Sequence, residues 1–219
     1  MKGNLLRAGV SIGAAFLLGA SSPPTALAQT DRPPIDAAAP VGWPRAATDP
    51  DPPRVRRFDR ASRTRGLAGG WGHSWRPLFG KTRSDLGFVA FHPQMGWFVT
   101  DRIELYGEAT LFVYHEPSRG ITAGLGGLAG RVHLADDRAF IPYVVVGSGL
   151  LWTSLDVAEI DRVFNFQLFA GLGLRWAPLR GPGFIVELRN HHISNAGTAG
   201  QNLGINAGTV VAGVQWVLR

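Results

Sequence analysis

The chain of 219 residues contains no cysteine, only two methionines and three tyrosines, and just 17% of it is charged. Without a thiol, a disulfide framework, cysteine-ligated zinc, iron–sulfur chemistry and a cysteine nucleophile are all excluded. Long apolar runs are missing too: residues 8–20 form an apolar stretch shorter than the roughly 20 residues a spanning helix requires. An excess of charge is missing from the body of the chain. Of the net +6, residues 1–28 carry +2, residues 29–66 carry +3, and residues 67–219 only +1. A nearly neutral body argues against nucleic acid as a partner.

What is abundant is glycine, 29 residues against a usual share of about 7%, with seven tryptophans and twelve phenylalanines. Lys2 and Arg7, the apolar stretch and the small-residue triplet Ala26-Leu27-Ala28 predict a signal peptide over residues 1–28, with an uncleaved anchor as the alternative. Residues 29–66 are rich in Pro, Ala, Asp and Arg with little to bury, which predicts a disordered linker. Its basic end, Arg54 to Arg65, is suited either to solvent or to contact with anionic lipid headgroups.

From Leu67 onward the pattern is period two. Phe164, Phe166, Leu168, Ala170, Leu172, Leu174 and Trp176 alternate with Asn165, Gln167, Gly171, Gly173 and Arg175. Ile103, Leu105, Ala109, Leu111 and Val113 alternate with Arg102, Glu104, Tyr106, Glu108 and Thr110, and Val210, Ala212, Val214, Trp216 and Leu218 form a third apolar face. Breakers divide the region into eight segments, 67–80, 84–99, 102–115, 120–134, 139–153, 162–177, 183–195 and 206–218. This predicts an all-β fold, an eight-stranded antiparallel barrel over residues 67–219. An outer-membrane barrel turns the apolar face outward and the polar face inward; a soluble lipocalin-like barrel inverts this, and alternation alone fits both. Trp97, Trp152, Trp176 and Trp216, near segment ends, favour a membrane girdle. The terminal Gln215-Trp216-Val217-Leu218-Arg219 departs from the aromatic last residue usual in bacterial barrels, so the assembly signal is expected to be atypical.

Histidine and serine crowd together in Glu187-Leu188-Arg189-Asn190-His191-His192-Ile193-Ser194-Asn195-Ala196-Gly197. Continuing the apolar face Phe184, Val186, Leu188 puts His192 and Ser194 on one side of the strand, roughly 7 Å apart. Imidazole beside hydroxyl suits nucleophilic acyl transfer, with nearby N–H groups holding the oxyanion. The plainer alternative is the polar end of a strand at the water interface. His191 falls on the other face with Glu187 and Arg189, toward the lumen, so the two histidines should not share a metal ion.

These residues resemble the lipid A 3-O-deacylases of PagL type, a family grouped with acyloxyacyl hydrolases. The similarity lies in Phe140-Ile141-Pro142-Tyr143 with Gly147 and Gly149, in Phe164-Asn165-Phe166 with Gly171 and Gly173, and above all in His192-Ile193-Ser194-Asn195-Ala196-Gly197 followed by Asn202-Leu203-Gly204. The resemblance implies an eight-stranded outer-membrane barrel whose serine esterase site on the lipid-facing surface removes the 3-O acyl chain of lipid A. His192 would match the base, Ser194 the nucleophile, Asn202 an oxyanion-stabilising residue and Asn195 a site-shaping neighbour. At the family's acid position, a glutamate, this chain carries Asn206. No cofactor is implied, since serine hydrolysis requires only water. The partners implied are lipopolysaccharide and the outer membrane, with the oligomeric state open and a homodimer one of its forms. The alternatives of other classes are a non-catalytic structural or lipid-binding membrane barrel and a secreted soluble barrel holding an apolar ligand.

Overall fold

The computed structural model describes residues 56–76, 84–115 and 118–218. The expected signal peptide, and the expected linker up to residue 55, lie outside them. Eight antiparallel strands follow in order: β1 Arg63–Ser74, β2 Gly87–Phe98, β3 Ile103–His115, β4 Gly120–His133, β5 Phe140–Thr153, β6 Phe164–Trp176, β7 Gly183–Ser194 and β8 Ile205–Leu218. Each pairs with the next, and β1 pairs with β8, so the sheet closes into a barrel with no unpaired edge. Strand lengths of 12–14 residues exceed the usual soluble strand and suit a tilted membrane crossing.

Two boundaries differ from the sequence expectation. Strand β1 opens at Arg63 rather than Leu67 and ends at Ser74 rather than at residue 80. The linker expectation fails over residues 56–66 as well. Phe58 is fully buried, its ring stacked on Phe98 at 4.4 Å, and the Arg57 N–H donates to the Asp136 carbonyl across the barrel mouth. One aromatic ring with a socket to fill outweighed the polar composition around it.

The alternation resolves as greasy outside, polar inside. Leu172, Leu188, Met95 and Phe140 are among the large apolar side chains exposed on the outer wall. The lumen holds a continuous chain of opposite charges running Arg175–Glu104–Arg131–Glu187–Arg189–Glu108, which ends on His92. Six ionised side chains are tolerable in a water-poor interior only because each is paired and hydrogen-bonded. Gln94, Tyr106, Tyr143, Thr64 and Gln215 donate or accept along the way. Glycine makes room for these bulky lumen groups. A Cβ on Gly173 would sit 2.3 Å from the Tyr143 ring, so the tyrosine lies directly over the glycine.

Strand β4 breaks the strict alternation. The register shifts between Gly126 and Ala129, so Ile121, Ala123 and Leu125 face outward before the shift and Leu128 and Val132 after it, while Arg131 still reaches the lumen. Tryptophans flank both rims. Trp97, Trp176 and Trp216 lie toward one end and Trp71, Trp75 and Trp152 toward the other, all exposed on the outer wall. The second end carries the longer connections, residues 75–86, 154–163 and 195–204, against 99–102, 134–139 and 177–182 at the first. In outer-membrane barrels the longer loops are extracellular and the short turns periplasmic.

Candidate active site

The end of β7 and the start of β8 meet at the long-loop rim. Along β7, Phe184, Val186, Leu188 and Asn190 are exposed on the outer wall, and His192 and Ser194 follow them on the same face, half-buried. His191 points the other way. It is buried in the lumen, edge-on to Phe112 and beside Phe169, so it takes no part in the outer-face cluster.

Strand pairing sets His192 opposite Asn206, and the Nδ1 of His192 lies 3.0 Å from Oδ1 of Asn206. An amide oxygen only accepts, so this bond assigns the proton to Nδ1 and leaves the lone pair on Nε2. Gly204 closes the far side of the ring. Its backbone has φ +74°, and a Cβ there would come within 2.7 Å of His192 Cε1 and 3.3 Å of Nε2. Both the positive φ and the close approach demand glycine.

Asn195, fully buried, organises the connection to β8. Its side chain donates to the Gln201 carbonyl and accepts from the Gly197 N–H, while its own N–H donates to Oδ1 of Asn202. With that oxygen engaged, the Asn202 NH2 is the end turned to donate. The β5–β6 connection packs on the same loop. The Glu159 carbonyl accepts from the N–H groups of Leu203 and Gly204, its carboxylate accepts from the N–H and hydroxyl of Ser84, and Ile160 bridges to Asn202. Glu159 thereby ties together three connections at the long-loop rim.

Three contributors were not assigned to the site from the sequence. Trp75 donates its indole N–H to Asn190 Oδ1 at 2.8 Å and its backbone N–H to the Asn206 carbonyl, flanking the His192 side of the cluster across β8. On the other flank, Trp152, Phe164 and Phe166 form an aromatic row with ring centroids 5.4 and 5.2 Å apart. The row ends at Phe166, which is paired directly with Ser194. The third is Glu159. Trp75 and Asn190 are 115 positions apart, and nothing local in the sequence links them.

The sequence profile described as lipid A 3-O-deacylase (PagL) matches residues 66–215. The chain belongs to this family. Among solved structures, the outer membrane enzyme PagL superposes with a TM-score of 0.52 at 18% identity, covering 68% of this chain and 97% of that one. Neisserial surface protein A (NspA) superposes with 0.54 at 12% identity, covering 70% and 95%. At such identities these likenesses show the fold, an outer-membrane type of eight-stranded barrel. No curated protein matches the chain by sequence. Family and fold together make the protein an outer-membrane ester hydrolase of the lipid A deacylase class. The clustered residues 192–206 all fall within the matched span.

Proposed function

We propose that the protein is a serine esterase that removes the ester-linked 3-O acyl chain of lipid A, with Ser194 as nucleophile, His192 as base and Asn206 as the residue that orients the imidazole. The observation that carries this reading is the outward-facing His192, held through Nδ1 by Asn206 and followed by Ser194 on the same lipid-facing wall. A polar trio on a largely apolar wall is costly in lipid, which favours a functional reason for it. Its place at the long-loop rim corresponds to the outer leaflet, where the glucosamine esters of lipid A lie. The signal peptide over residues 1–28 provides the export this location requires.

The chemistry follows from the proton assignment. Ser194 Oγ attacks the ester carbonyl carbon while its proton passes to Nε2 of His192. The oxyanion is stabilised by donors of the β7–β8 connection, with the Asn202 NH2 assigned to this role and Asn195 fixing the loop that carries it. The tetrahedral species collapses, the C–O bond to the sugar breaks, and the sugar oxygen takes the proton from His192. Water then repeats the sequence on the acyl-serine and releases the fatty acid. The residues invoked supply nucleophile, base and oxyanion donors, so the scheme needs no cofactor.

Asn206 also supports a second reading, a barrel that keeps the architecture of the site but little catalysis, because an amide does not stabilise the imidazolium as a carboxylate does. Mass spectrometry of lipid A from cells expressing the wild type and Ser194→Ala tests the first reading. Loss of one 3-hydroxyacyl chain in wild type alone is the expected result. Unchanged lipid A in wild type, with barrel assembly confirmed, would favour the second.

A further inference from the structure

At the rim opposite His192 and Ser194, the buried Phe58 segment leaves a cavity of about 200 Å³ between itself, the 177–182 turn and the end of β8. Three guanidinium groups, Arg57, Arg175 and Arg180, line it together with Gln215, Phe58 and Val217, and among the described residues no carboxylate does. Arg175 is 2% exposed. Its Nη2 donates to Glu104 and Gln215, whereas its Nε and Nη1 have no hydrogen-bond partner. Glu104 is already shared with Arg131, and Asp136 of the 134–139 turn pairs with Arg102. A buried guanidinium with three N–H groups on two nitrogens unmatched, lining a cavity with two more arginines, is a setting that an anion's oxygens would satisfy.

We propose that this cavity binds a phosphate group, with Arg175 at its base and Arg57 and Arg180 at its mouth. Arginine forks match phosphate oxygens, and basic pockets at a membrane surface bind lipid headgroups. The setting suits such a ligand. Trp176 and Leu179 are exposed on the outer wall beside the cavity, at the level where an inner-leaflet phospholipid would present its headgroup, and Val217 and Phe58 offer apolar contact to the adjoining glycerol. Soluble phosphate carries the same chemistry. The proposal is independent of the esterase reading, because it concerns the far rim of the barrel.

The test uses the full chain folded into phosphatidylcholine nanodiscs, with a double variant Arg57→Gln, Arg180→Gln that leaves the buried Arg175–Glu104 pair intact. In one arm inorganic phosphate is titrated and its ³¹P line width followed. In the other, a tenth of the lipid is phosphatidylglycerol, and native mass spectrometry counts the lipid retained after transfer to a zwitterionic detergent. The expected result is binding by wild type in at least one arm, weakened tenfold or more in the double variant, with heat-modifiable migration unchanged. Binding of phosphate alone identifies a soluble anion as the source, and retention of phosphatidylglycerol alone identifies the headgroup. No binding in either arm, or equal binding by wild type and the double variant, overturns the proposal.

Discussion

The Nδ1 atom of His192 and the Oδ1 atom of Asn206 face each other at 3.0 Å across the β7–β8 pair. In the proposed mechanism this pair is a base and its orienting residue, with a neutral partner in place of a carboxylate. A neutral acceptor selects the tautomer that the proposed proton transfer requires, but it would not offset the positive charge that His192 gains on taking the serine proton in that scheme. In a serine protease the equivalent loss of charge costs about 10⁴ in turnover. Asn206→Glu should therefore raise deacylation by tenfold or more. Release of the 3-hydroxy fatty acid from purified lipid A, followed over time for both proteins, measures it.

Gly204 supplies a second prediction at the same imidazole. Any Cβ there meets Cε1 of His192 at 2.7 Å, and the residue's φ of +74° disfavours other side chains. Gly204→Ala should push the ring off Asn206 and lower kcat by tenfold or more, while the barrel, stabilised by its closed sheet, still assembles. Heat-modifiable migration on a gel and an activity assay on the same sample separate the two effects.

Much of this was legible in the sequence, for a physical reason. Period-two alternation is a direct image of a wall with unlike surroundings on its two sides, so the strands and the face that His192 and Ser194 share with Phe184, Val186 and Leu188 could be read from it, while the tryptophans near segment ends pointed that face toward lipid. The reading failed where a single residue outweighed its neighbours. Phe58 sits among arginines and an aspartate, and composition suggested solvent; its buried stack on Phe98 is a contact between segments that no local pattern encodes. The register shift in β4 was hidden because Gly126 and Gly127 carry no side chain to mark a face. Trp75 and Glu159 were out of reach because their partners are remote in sequence, on β7 and β8 for Trp75 and on two other connections for Glu159.

The lumen chain yields a stability prediction. Glu187 accepts from Arg131 Nε at 2.9 Å and Tyr143 Oη at 2.6 Å through one oxygen, and from Arg189 Nε at 2.5 Å through the other. Replacing that oxygen by an NH2 in Glu187→Gln sets donor against donor and leaves buried charge uncompensated. Breaking such a buried pair costs about 3–5 kcal/mol. Asp136→Asn, at an exposed pair with Arg102, should cost under about 1 kcal/mol. Urea unfolding from lipid vesicles, followed by tryptophan fluorescence, should show the midpoint fall markedly for the first variant and hardly for the second.

Phe58 distinguishes a folded plug from a linker. Its ring is fully buried, 4.4 Å from Phe98 by centroid and 5.1 Å beneath the Arg175 guanidinium. Were residues 56–62 a solvated tether, Phe58→Ala would leave stability unchanged. As a core aromatic, its truncation should remove about 3 kcal/mol, the lower end for Phe→Ala, since the mouth of a barrel collapses more easily than its middle. The same change uncovers Phe98 and loosens the segment that Arg57 anchors to Asp136. Limited proteolysis should then cut after Arg56, Arg57 or Arg60 in the variant under conditions where the wild type resists. Equal cleavage of the two proteins would mean that the segment does not hold the mouth closed.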